Sequence, residues 1–292
     1  MTKRVLEIHD VASNHWVGDG FPVRSLFPSR KLSFEQISPF LLLDYAGPQD
    51  FTPSERPRGV DEHPHRGFET VTIAYQGSVA HRDSGGHSGV VGPGDVQWMT
   101  AASGVVHEEK HEQEFTRRGG TFEMIQLWVN LPKQYKMSKP RYQTLLAADI
   151  PSIQLDKGVG RVIAGQWNGQ TGPAKTFTPV NLFDIRLNPG GKAALNLTEG
   201  HTAAIFLLSG GVRINGASDL TGEAQLAVLD PTGEDVEIEA LENSKLLVMS
   251  GEPIREPIAH HGPFVMNTRE ELAQAVEDFR AGRMGHLANH MG

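Results

Sequence analysis

The chain has no cysteine among its 292 residues. Disulfides, zinc–thiolate centres and thiol redox chemistry are therefore excluded, and any metal site must draw on His, Asp and Glu. Long apolar runs are also missing. The N-terminal "MTKRVLEIHDVASNHWVGDG" contains no apolar core of signal-peptide length, and no segment approaches a membrane span. A cytoplasmic protein without a membrane role is the expectation. Basic residues form no long run and the net charge is −8, so direct nucleic-acid binding, which needs a positive patch, is not expected.

Gly (32) and Pro (18) are plentiful, which suits many short strands joined by turns. Up to about residue 130 the chain reads as such strands: "KRVLEIH", "FLLLDYA", "ETVTIAY", "DVQWMT" and "GTFEMIQLWVNL". "NLPKQYKMSKPRYQTLLAADIP" (130–151) interrupts them and reads as a connector. Strand-like segments then resume, among them "RVIAGQW", "NLFDIRLNPG", "AAIFLLSGGVRIN" and "SKLLVMSG". Both halves contain an apolar strand ending in Gly, "IAYQG" and "IFLLSG", which points to a duplicated all-β unit. One helix is predicted in "NTREELAQAVEDFRAGRMG". Asn267 or Thr268 would cap it, Glu271 would complete a capping box, Leu272, Val276 and Phe279 would form its apolar face, and Gly282 would end it.

The chemistry concentrates in "DEHPHRGFETVTIAYQGSVAHRD" (61–83) and "GVVHEEKHEQEF" (104–115). Side chains i and i+2 of a strand share a face, so His63 and His65 point the same way. His107 and Glu109 share a face likewise, and Glu108 points away. Adjacent strands carrying these four would offer three imidazoles and a carboxylate to one divalent first-row metal, with positions left open. Glu69 competes for the carboxylate role because its parity matches. Four residues at about 3.3 Å each place it roughly 13 Å past His65, whereas a metal–oxygen bond spans about 2 Å. Glu69 reaches the site only if the chain bulges near Gly67, so Glu109 is preferred. By the same count His111 lies too far along. His81 and His87, in "AHRDSGGHSG", read as loop residues near a barrel mouth, and His260 and His261 as structural.

"HPHRGFETVT", "GPGDVQWMTAASGVVHEE", "LWVNLP" and "HGPFVMNTREE" together resemble the pirin family of the cupin superfamily, over nearly the whole chain. The resemblance implies an all-β bicupin: two stacked, jelly-roll-like β-barrels and a C-terminal helix. It implies an N-terminal metal-binding domain over 1–135 and a metal-free C-terminal domain over 136–292 that includes the helix. One divalent ion per chain, most often Fe(II), would be held by three His and one Glu, which map onto His63, His65, His107 and Glu109. Nickel, copper, manganese and zinc suit the same donors. The chain departs from the general cupin pattern in its second motif, where Ala102-Ser103-Gly104 keeps only the glycine. In its first motif Gly77 falls one position late, and the second half has a lone His201 in place of H-x-H.

Some pirin-like proteins resemble quercetin 2,3-dioxygenases. By that likeness a flavonol, or a similar aromatic enol, would bind with dioxygen, give its 3-hydroxyl proton to Glu109, and lose carbon monoxide as its ring opens. Phe68, Trp98, Met99 and Met124 are expected wall residues for this planar ligand. The alternative implied by the family is a regulatory protein, with a transcription factor or a metabolic enzyme as partner and the metal as its redox element.

Overall fold

The computed structural model describes residues 1–287. In chain order the strands begin with β1 (Val5–His9), β2 (Ser13–Val17), β3 (Phe21–Phe27), β4 (Phe40–Phe51), β5 (Gly59–His65) and β6 (Phe68–Gln76). They continue with β7 (Val79–Asp83), β8 (Ser88–Val91), β9 (Val96–Thr100), β10 (Val105–His111), β11 (Gly120–Asn130) and β12 (Arg141–Leu145). Next come β13 (Ser152–Ala164), β14 (Gln166–Trp167), β15 (Gln170–Thr171), β16 (Val180–Asn196) and β17 (Thr202–Ile214). The last are β18 (Ser218–Leu229), β19 (Asp235–Ala240), β20 (Ser244–Gly251), β21 (Ala259–His261) and β22 (Phe264–Met266). The helices are α1 (Phe34–Ile37), α2 (Gln113–Arg118) and α3 (Arg269–Arg280). None is long and apolar enough to cross a membrane.

The chain forms two compact units. One comprises Asn14–Val23, Phe40–Ala147 and the residues from Ile254 onward; the other comprises Met1–Ser13, Arg24–Pro39 and Ala148–Pro253. This differs from a single cut after residue 135, for two physical reasons. First, β1 pairs antiparallel with β18, so the N-terminus joins the later unit. Second, α3 buries Ala275, and partly Leu272 and Val276, against Val106, Phe264 and Met284 of the earlier unit. Pairings of such sequence separation leave no trace in local periodicity.

In the earlier unit, a four-stranded sheet β5-β10-β7-β8 accompanies a larger one ordered β12-β9-β6-β11-β4-β3-β2. Its interior strand β6, "FETVTIAYQ", is buried at every position but the last, which fits its β-branched and aromatic content. Phe21, Val23, Ala46, Val79, Phe115, Phe122 and Met124 pack together as one core cluster. Each such large apolar side chain contributes about 1.5–3 kcal/mol on burial. The expected connector is partly a strand. Residues Arg141–Leu145 pair with β9 as an edge of the larger sheet. Lys136, in the same stretch, is buried, and its ammonium donates to Gly67 O (2.7 Å), Asn130 Oδ1 (2.6 Å) and Val265 O (3.0 Å).

In the later unit, β17 pairs with β18, β19 and β20, and β16 with β13, β19 and β20. Its core draws on alternate residues such as Ile205, Leu207, Val212 and Ile214 of β17. The predicted helix is α3. Thr268 caps it with the full capping box to Glu271, and Gly282 follows its end at φ +72°. Phe279, expected on the apolar face, is exposed.

Candidate metal centre

Residues 61–83 do not form one continuous strand. The chain turns at Gly67, whose φ is +92°, so His63 and His65 close β5 while Phe68 opens β6 in the other sheet. A Cβ at Gly67 would fall on the Val265 carbonyl oxygen, which explains why glycine occupies the turn. Glu69 is thereby carried into the larger sheet. There Thr100 Oγ1 donates to its Oε1 at 2.7 Å and Arg141 lies 3.8 Å away. Burial raises the Glu69 carboxyl to about 7, against the opposing hydrogen bond from Thr100. It belongs to no donor cluster among the described residues.

The antiparallel register sets His107 opposite His63, and Val105 opposite His65. A bulge follows, so that Glu109 faces Val60. On its other side β10 pairs regularly with β7: His107 faces Asp83, Glu108 faces Arg82 and Glu109 faces His81. His63, His65 and His107 offer donor atoms that all lie within 4.8 Å of one another. Glu109 is not in that set. It joins His107 and His81 in a second set of the same compactness. The later unit contributes no residue to either.

The ring nitrogens are allotted in a consistent way. The Nδ1 of His63 lies 2.8 Å from Asp61 O, that of His65 3.4 Å from Pro263 O, and that of His107 3.3 Å from His81 Nδ1. Each ring thus commits Nδ1 to a neighbour and retains Nε2 as its donor to an ion. His107 Nε2 is buried without any hydrogen-bond partner. An orphaned buried nitrogen is costly unless something binds it. Burial, then the neighbouring His63, pushes His65 and His107 well below the ordinary imidazole value. Both are neutral with lone pairs available, as metal ligation requires. The residues therefore fit a divalent ion.

Glu109 is held from the opposite sheet. Gln97, Thr72 and Gln126 stand in register across β9, β6 and β11. Gln97 Nε2 donates to Glu109 Oε1 at 3.1 Å, and Thr72 Oγ1 lies 3.3 Å from the same oxygen. Both contacts fall on Oε1, which leaves Oε2 for an ion or a proton. A cavity of about 260 Å³ opens over His63, His65 and Glu109, with Val17, Phe21, Leu42, Val60, Met124 and Trp128 among its walls. Of the expected wall residues only Met124 lines it. Phe68, Trp98 and Met99 are buried core, although Phe68 packs on His65 with ring centroids 5.1 Å apart. Trp128, unnoticed in the sequence, packs 5.2 Å from His65.

Two further placements differ from the sequence reading. His81 is no loop residue: it is 3% exposed and lies within β7, beside His107. Its signal was present as the alternation of His81 and Asp83 in "VAHRD". His87 lies outside the strands, against Asp83. His111 stays out of both donor sets and is bonded to Gly20 O at 2.9 Å.

Residues 20–129 match the Pirin family model, and residues 182–285 match that of the Pirin C-terminal cupin domain. A Pseudomonas aeruginosa protein named "Putative quercetin 2,3-dioxygenase PA2418" is 56% identical, over 96% of this chain and 98% of its own. Human Pirin is 40% identical, over 86% and 84%. The crystal structure of a quercetin 2,3-dioxygenase from Acinetobacter baumannii superposes with a TM-score of 0.94 at 48% identity, covering 98% of this chain and 99% of that one. The protein belongs to the pirin family and is built of two cupin domains.

Proposed function

We propose that this protein is a metal-dependent oxygenase of the pirin type, acting on a flavonol such as quercetin or a similar aromatic enol. The observation that carries the reading is the convergence of His63, His65 and His107, the first two of which line an apolar cavity together with Glu109. In this reading the three histidines and Glu109 hold one ion per chain, iron by preference. When bound, that ion would supply a Lewis-acidic, redox-active centre where a chelating enolate and dioxygen come together. The cytoplasmic location expected from the sequence is part of the same proposal.

The chain's own residues supply the remaining functions. Trp128, Met124 and Phe21 offer flat or pliable apolar walls to an aromatic ligand. The cavity is slightly smaller than the ~300–1,000 Å³ common for ligand pockets, so a planar ligand would fill it and displace its water. Glu109, tethered through Oε1, accepts the enol proton at Oε2. Gln97 and Thr72 hold that carboxylate in place as the proton moves.

Oxygen uptake with quercetin and related enols tests the proposal, comparing iron-loaded parent protein with Glu109→Gln. The proposal expects turnover by the parent and a loss of about 10²–10⁴-fold in the variant, the range for a lost general base. Uptake at the parent rate by Glu109→Gln overturns the role of Glu109. A parent that binds iron but consumes no oxygen with any enol overturns the oxygenase reading and favours a regulatory binding protein.

A further inference from the structure

Neither the set of His63, His65 and His107 nor the cavity explains why two buried residues of β7, His81 and Asp83, stand behind His107. His81 is 3% exposed and Asp83 6%. Two rings and a carboxylate are joined in sequence: His107 Nδ1 to His81 Nδ1 at 3.3 Å, then His81 Nε2 to Asp83 Oδ2 at 3.3 Å. Only one proton arrangement satisfies both contacts with a neutral His81. His107 Nδ1–H donates to His81 Nδ1, and His81 Nε2–H donates to the Asp83 carboxylate. That arrangement leaves His107 Nε2 unprotonated, and Nε2 is the nitrogen found buried without a partner.

The support extends one layer further. Asp83 Oδ1 accepts from the backbone N–H of Gly85 (2.8 Å) and His87 (3.0 Å), which fixes the carboxylate. Tyr142 stacks on His81 with ring centroids 4.7 Å apart and planes 18° from parallel, which fixes the imidazole. The Tyr142 hydroxyl also donates to Gln97 Oε1 at 2.9 Å, and Gln97 in turn holds Glu109.

We propose that His81, oriented by Asp83 and Tyr142, is a positioning residue that sets the tautomer and ring direction of His107 for metal binding. The inference rests on the reading that His63, His65 and His107 hold the ion. Ligating imidazoles are generally steadied in this way through their second nitrogen, usually by a carboxylate or a carbonyl oxygen. Here a second imidazole stands between ligand and carboxylate. It passes on the acceptor character of Asp83 while keeping the negative charge one ring away from the ion. The close spacing of His81, His107 and Glu109 does not require a second ion, because a single proton accounts for the contact between the two Nδ1 atoms.

The test titrates metal-free protein with cobalt(II), whose visible spectrum reports ligand geometry, against a competing chelator. His81→Leu, which removes the acceptor, is expected to weaken binding by about 10–100-fold and alter the spectrum. His81→Gln, with an oxygen for His107 and an amide N–H for Asp83, is expected to stay near the parent in both. Asp83→Asn, nearly isosteric, places an amide donor against His81 Nε2, forces its other tautomer and sets two N–H groups face to face. It is expected to behave like His81→Leu, and it decides the matter if the leucine variant fails to fold. Parent-like binding in both His81→Leu and Asp83→Asn overturns the proposal, as does equal weakening in His81→Leu and His81→Gln. Two cobalt ions per chain, one lost with His81, would also overturn it by making His81 a ligand. His107→Ala distinguishes the failures: if it binds cobalt as the parent does, the metal reading itself is wrong.

Discussion

His63 and His107 face each other across the β5–β10 ladder, their ring centroids 4.3 Å apart. Neighbouring strands thus bring together imidazoles separated by over forty residues, and His65 follows because it shares the face of His63. Replacing His63, His65 or His107 by Ala should abolish stoichiometric metal binding, measured by elemental analysis after loading and desalting. The metal-free His63 and His107 variants should melt close to the metal-free parent, because His63 is only half-buried and His107 gives up a buried nitrogen that has no hydrogen-bond partner. His65→Ala should melt lower, because that ring packs on Phe68 and Trp128. Retention of one ion per chain in all three would contradict the assignment.

Gly67 links backbone conformation to this cluster, since it turns the chain directly after His65. Gly67→Ala should destabilise the protein by more than about 1 kcal/mol, because the residue needs positive φ and its Cβ meets the Val265 carbonyl. Displacing Val265 also disturbs Pro263, whose carbonyl holds His65. Metal affinity should therefore fall together with the melting temperature. A variant that loses stability but binds metal as the parent does would show the turn to be independent of the site.

The parity of H-x-H and H-x-E was legible because alternation is local. The end of that strand at Gly67 was not, because the apolar and β-branched pattern resumes at once in "FETVTIAY". Consequently Glu69 stayed a candidate although it belongs to another sheet. His81 was hidden by the glycine-rich turn after it, and Tyr142 by the Lys-Pro interruptions before it. The pairing of β1 with β18 and the packing of α3 on Val106 join residues too far apart for any periodic signal.

Glu69 gives the stability a sign with pH. Its carboxyl is raised from 4.5 to about 7, chiefly by burial. Between those values the folded state keeps a proton that the unfolded chain has released, so stability falls as pH rises through this window. The difference amounts to about 3 kcal/mol above the folded value. Glu69→Gln removes this term. In urea unfolding, the variant should gain on the parent by about that amount between about pH 4 and about pH 8. A difference that stays constant with pH would contradict a protonated Glu69.

The central claim is the placement of one ion. Anomalous diffraction from crystals of the metal-loaded protein, collected at the absorption edge of that metal, locates it directly. A single peak per chain is expected, about 2.0–2.2 Å from the Nε2 atoms of His63, His65 and His107 and within reach of Glu109 Oε2. A peak lying instead between His81 and His107 Nδ1, or in the later unit, would contradict it.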